Sequence, residues 1–160
     1  VKPSAKFEVN ITGTHAVIVP HEHAQPFLDA GQTRVALTAF YQEKSVSFHG
    51  KLHERNGQIT ISFGKRYQKQ LGVSTQDHFE LQIEEDTSKY GVIMPEAFEA
   101  VLATDATAFN LFEALTMGKK RSLIYYIDRF KSTQTQVDKS LVICENLKRG
   151  IIDVKELIKQ

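Results

Sequence analysis

Two periods of hydrophobic spacing divide the chain. Up to about Pro95 the apolar residues fall in short runs, many alternating with polar ones: "KFEVNI", "HAVIVP", "TRVALTAF", "KSVSFHGKL", "QITISF", "HFELQIEED" and "KYGVIM". Alternation at period two, in runs rich in Val, Ile, Thr and Phe, predicts seven short strands, and that spacing points to a barrel or sandwich. Asn56-Gly57 lies between two of these runs and is the strongest local hairpin signal in the chain. After Pro95 the spacing becomes three and four. "PEAFEAVLAT", "ATAFNLFEALTMG", "KRSLIYYIDRFK" and "TQVDKSLVICENLKRG" each predict a helix. In the last of them Val137, Leu141, Val142, Cys144 and Leu147 mark the predicted buried face. Gly150 is the predicted C-cap, with Lys148 and Arg149 in the final turn, where cations complement the helix dipole. The fold class is therefore α+β, with a barrel domain over residues 1–95 and a helical region over 96–160 that is expected to pack on it.

A weak internal echo links the two parts. "AVIVPHEHAQPFLDAG" and "GVIMPEAFEAVLAT" both run strand, proline, helix. Proline is tolerated at a helix start because the first amides have no intrahelical partner. Chance and pseudo-symmetry both account for such an echo.

Composition changes this picture mainly by exclusion. The 160 residues carry 20 Lys/Arg and 19 Asp/Glu, a formal net charge of +1. Residues 1–95 hold 10 of each sign, and residues 96–160 hold 10 basic and 9 acidic. Neither part is a polybasic module, which argues against nucleic acid as a partner. No apolar tract is long enough to span a bilayer, and "VKPSAKFEVNITG" lacks the apolar core of a secretory signal. The lone cysteine, Cys144, rules out an intramolecular disulfide and any cysteine-rich zinc site; it fits a reducing, cytoplasmic setting.

The ordered set of motifs resembles one family. The run "VIVP"-helix, hairpin, "ITISFGKRYQKQLGVSTQDHFELQIEED" and "VIMPEAFEAVL" resembles the small barrel domain found in the YdeI/OmpD-associated family. Leu71-Gly72 matches that family's basic turn, and Gln76-Asp77 stands where Gly-Asp is usual. "FEALTMGKKRSLIYYIDRFKSTQTQVDKSLVICENLKRG" looks like the family's helical tail. Thr135-Gln136 and Val137-Asp138 replace the arginines usual after the turn, so no ligand contact of those arginines is carried over. The resemblance implies a double-split β-barrel, AbrB-like in shape, followed by a helical tail. It also implies a non-enzymatic binding module linked to bacteriocin or antimicrobial-peptide resistance, with no catalytic residues and no cofactor to carry over.

Candidate chemistry is sparse. Lys65, Arg66 and Lys69 follow Gly64 at a predicted helix start, where amides and cations together can hold a phosphate or carboxylate. No Walker pattern accompanies them. Lys119, Lys120 and Arg121 open another helix, against the dipole at a cost of roughly 0.3–1 kcal/mol each. Each cluster reads either as part of an anion site or as a solvated face. Arg66, Lys69, Lys119 and Arg121 are the anion-binding candidates. The expected partner is a small anionic ligand or a protein.

His21 and His23 flank Glu22 at a helix start. His49 and His53, in extended chain, stand about 13 Å apart, too far to share a metal ion. His15 and His78 have no evident partner, and no metal site is assigned. Glu84, Glu85 and Asp86 read as a solvated strand end or as paired carboxylates. Tyr125, Tyr126 and Phe130 read as core packing. The chain has no GxSxG or HExxH and no cysteine with a motif-placed histidine. Two rival readings are a DNA-binding regulator of AbrB-like shape and an enzyme acting on a small acidic metabolite.

Overall fold

The computed structural model describes residues Val1–Gln160. The chain divides into two compact units, Val1–Gly91 and Val92–Gln160.

The first unit holds seven strands and two helices. The strands are β1 (Phe7–Thr12), β2 (Ala16–Val19), β3 (Arg34–Tyr41), β4 (Lys44–Lys51), β5 (His53–Arg55), β6 (Gln58–Ser62) and β7 (His78–Glu85). Helix α1 (His21–Asp29) follows β2, and α2 (Lys65–Leu71) follows β6. All strand pairs are antiparallel, in the order β4-β3-β7-β1-β2-β6-β5. Alternation assigns the faces. Phe7, Val9 and Ile11 of β1 point to the same core as Val35, Leu37 and Ala39 of β3 and Phe79, Leu81 and Ile83 of β7. Phe63 sits among rings, with Phe48 at 5.1 Å and Phe79 at 5.2 Å.

The predicted barrel is not closed. Hydrogen-bonded pairing ends at β4 on one side and at β5 on the other. The sheet nevertheless curls, because a Cβ placed on Gly50 in β4 would lie 2.8 Å from both Cγ1 and Cδ1 of Ile61 in β6. Glycine is the residue that admits so close an approach.

The hairpin at Asn56-Gly57 forms as predicted. Both residues take positive φ (53° and 79°), and Arg55 pairs with Gln58 across the turn, the backbone signature of a type I′ connection. The strand predicted over "KYGVIM" is absent. Gly91 turns the backbone to φ 75°, and its carbonyl accepts the Arg34 Nε–H at 2.7 Å instead of a ladder amide. The seventh strand is instead β5, formed by the three residues before the hairpin turn. Loss of the "KYGVIM" strand also removes half of the echo, since only Pro20 is preceded by a strand.

The second unit is helical: α3 (Glu96–Ala103), α4 (Ala106–Glu113), α5 (Met117–Asp128), α6 (Thr133–Lys148) and α7 (Val154–Leu157). Side-chain caps start four of them. Asp105, Thr116, Ser132 and Asp153 accept from the amides of Ala108, Lys119, Thr135 and Glu156. Helix α6 touches α3, α4, α5 and α7 and so organises this unit. Its buried face is Ser140, Ile143, Cys144 and Leu147, about one position round from the predicted one, and Leu141 is 52% exposed. Gly150 takes φ 86° and closes α6 as predicted, its amide donating to the Leu147 carbonyl at 2.9 Å.

Candidate functional site

Arg66 and Lys69 come together on α2. Gly64 caps the helix in an extended conformation, and Tyr67 and Leu71 turn toward the core, leaving Lys65, Arg66 and Lys69 exposed. Residues three apart share a helix face, so Arg66 and Lys69 point the same way. The helix itself is pinned from beneath. Gln68 is buried and its Nε2 donates to the carbonyls of Thr14 (2.9 Å) and Phe63 (2.8 Å), tying α2 to the β1–β2 turn. Gly72 then takes φ 84°, and Asp77 clasps the next turn through the Ser74 amide and hydroxyl. The Ser74 amide, first of all, holds the Asp77 carboxyl below its usual range. The stretch is a well-anchored turn that displays three cations.

Lys119 and Arg121 lie on α5 in the second unit, both half-buried. Positions two apart do not share a helix face. Between them Lys120 is only 8% exposed, with its Nζ 3.8 Å from a Glu113 carboxylate oxygen. The predicted triplet therefore splits, with its middle cation turned inward.

The histidines are spread over several elements, and His15 and His78, expected to have no evident partner, each have one. His21 and His23 lie in α1, where His23 stacks on Phe7 with centroids 4.4 Å apart and planes 11° apart. His78 lies 3.5 Å from Glu8, and His15 Nδ1 is 2.9 Å from the Thr14 hydroxyl. His53 sits in β5, far along the sheet order from His49 in β4. No group of three or more His, Cys, Asp or Glu side chains is placed to hold a metal ion. Tyr126 packs edge-on against Phe130 at 5.1 Å, whereas Tyr125 is exposed. Cys144 is buried, and burial pushes its thiol up to about 11, so it is an inert core residue.

The arrangement that spacing did not reveal is on the outer face of β4, β3 and β7. His49 stands opposite Ala36 in β3, and Ala36 stands opposite Glu84 in β7. The imidazole reaches across β3 to Asp86, just past the end of β7, with Nδ1 3.0 Å from Oδ2. The two side chains are 14% and 6% exposed. The other carboxylate oxygen accepts from the Ser88 amide at 2.9 Å and from the Ser88 hydroxyl. Burial pushes the Asp86 carboxyl up, but the two Ser88 hydrogen bonds and His49 outweigh it, and the net displacement is downward. Of the acidic run, Asp86 is thus the built-in member, while Glu84 is exposed. Nothing local signals this pair. It depends on a register across three strands and on a small residue at position 36.

Sheet and helices thus define an α+β protein with a polar-faced open sheet and a five-helix unit. Residues 91–150 match the model of the family described as "Bacteriocin-protection, YdeI or OmpD-Associated". That match covers α3 to α6 and names the family that the motifs resemble. No curated protein matches the chain. Among solved structures, the solution structure of PHS018 from Pyrococcus horikoshii is similar at 16% identity and a TM-score of 0.41, covering 60% of this chain and 99% of that one. No helix is long and apolar enough to cross a membrane.

Proposed function

We propose that this protein is a non-enzymatic binding module acting in protection against bacteriocins or cationic antimicrobial peptides. The observation that carries the reading is the family match over residues 91–150. The ligand class is a small anion, with Arg66 and Lys69 on α2 of the first unit and, separately, Lys119 and Arg121 on α5 of the second as the binding residues. Exposure of Arg66 and Lys69 on one face of an anchored helix supports their part in it. Residues 1–95 act as a domain built on a curled but open sheet, and residues 96–160 as the helical region. The approach of Gly50 to Ile61 supports a curled, barrel-like sheet. A cytoplasmic location completes the reading, supported by the single buried thiol. Near-neutral charge sets this module apart from a duplex-binding one.

Two measurements test it. Bacterial killing by a bacteriocin is measured with and without expression of the chain; survival rises with the wild type and falls back with Arg66→Ala/Lys69→Ala. Unchanged killing overturns the protective role. A native mass spectrum of the gently purified protein shows an anionic adduct that is lost on Arg66→Ala or Arg121→Ala. An adduct that persists in both variants overturns the site.

A further inference from the structure

We propose that His49 is a proton-accepting site, in which Asp86 fixes the imidazole proton on Nδ1 and leaves Nε2 open to a small anion bearing an O–H group. The geometry leaves little freedom at Nδ1. Asp86 Oδ1 is occupied by Ser88, and Oδ2 faces His49 Nδ1 at 3.0 Å. An ionised carboxylate only accepts hydrogen bonds, so Nδ1 is the donor. The second nitrogen is then an acceptor lone pair.

Nε2 makes no hydrogen bond within the protein, yet the sole buried side-chain polar atom without a partner is Gln32 Oε1. Nε2 is therefore reached by solvent, although the side chain as a whole is 14% exposed. A histidine serving only to staple β4 to the end of β7 needs its Nδ1 contact and nothing at Nε2. An imidazole with one nitrogen tied to a buried carboxylate and the other open is the arrangement of a general base.

The neighbours select the ligand. Lys51 is two residues along β4 on the same face, opposite Arg34; it is exposed and forms no ion pair. It is placed to take the anionic group while the ligand O–H donates to Nε2. In the transfer step the O–H bond breaks, its proton joins Nε2, and the electron pair stays on the ligand oxygen. The imidazolium so formed is stabilised by Asp86, which keeps its charge. This site is independent of the anion-binding residues proposed on α2 and on α5, and either reading can fail without the other.

Inorganic phosphate is a suitable probe because its protonated forms join an anionic oxygen to an O–H donor. In long-range proton–nitrogen NMR spectra of the full chain, neutral His49 shows a protonated Nδ1 and a bare Nε2. Phosphate moves the Nε2 resonance, chloride at matched ionic strength does not, and Lys51→Ala weakens the response about tenfold, equivalent to about 1.4 kcal/mol. Asp86→Asn, a second variant, gives mixed tautomers. A proton found on Nε2 in the wild type, an Nε2 resonance unmoved by phosphate, or a response unchanged in Lys51→Ala overturns the proposal.

Discussion

One amide group, that of Asn146, closes the C-terminal end of the chain. Its Nδ2 faces the carbonyls of Leu157 (2.8 Å), Lys159 (2.7 Å) and Glu156 (3.4 Å), and the side chain is buried. Asn146→Leu leaves those carbonyls without their donor, which costs about 1–3 kcal/mol for a buried group left unpaired. Thermal denaturation reads the loss, and amide exchange over residues 154–160 accelerates with it. Gly50 is the opposite case, a position defined by what is missing. Gly50→Ala drives a methyl into Ile61 at 2.8 Å, and overpacking of this kind costs about 1–3 kcal/mol. Gly64→Ala is the control, since its Cβ would meet nothing within 4 Å. Chemical denaturation that ranks Gly64→Ala as the more damaging change would contradict the close approach of β4 to β6.

At the scale of elements, what the sequence made legible was local. The Asn56-Gly57 turn, the Gly150 cap and the change of period near Pro95 each depend on residues a few positions apart. The misses were non-local or a matter of phase. The "KYGVIM" run has strand-like residues but no ladder partner, and Arg34, 57 positions away, takes the Gly91 carbonyl. The buried face of α6 differs from the one its apolar spacing predicts because the polar Ser140 is fully buried, with its hydroxyl donated to the Gln136 carbonyl, in place of Leu141 and Val142. The His49–Asp86 pair spans 37 positions and rests on a register that no short motif encodes. Local spacing puts Lys65, Arg66 and Lys69 at a helix start, where they are exposed, but gives no sign that Lys120, between the candidates Lys119 and Arg121, turns inward. Helix α5 offers a direct test of local propensity. Gly118 lies in its first turn with open space around a prospective Cβ, so Gly118→Ala raises stability by about 0.5–1 kcal/mol. A lower melting temperature in that variant would be the contrary result.

For the whole molecule, the response to pH follows from its paired charges. The Lys148 ammonium, at 2.8 Å, holds the Asp105 carboxyl below its ordinary 3.8, helped by the Ala108 amide that Asp105 caps. A depressed carboxyl contributes stability in full above its unfolded value near 3.8 and loses it as pH falls through the lower folded value. Asp77 and Asp86, both also lowered, act in the same direction. The Asp105 hydrogen bond, in turn, raises Lys148 above its ordinary 10.5. That contribution is complete below 10.5 and fades as pH rises through the folded value. Melting temperature against pH therefore falls at both extremes. Asp105→Asn flattens part of the acid limb and part of the alkaline one together; an alkaline limb unchanged in that variant would show that the Asp105–Lys148 pair does not form in solution.

An open sheet has rims, and rims are where a chain meets copies of itself. At one rim β5 offers three residues, too few to template much; at the other β4 offers eight, from Lys44 to Lys51. A lysine stands exposed at each end of that longer strand, and charge on an edge strand is a common guard against end-on pairing of sheets. The pair thus bears on how the protein behaves when crowded. Lys44→Thr/Lys51→Thr leaves the fold in place but removes the guard, and light scattering at rising protein concentration registers assemblies that the parent does not form. A variant that stays monodisperse to the same concentration as the parent would assign that protection to the curl of the sheet instead.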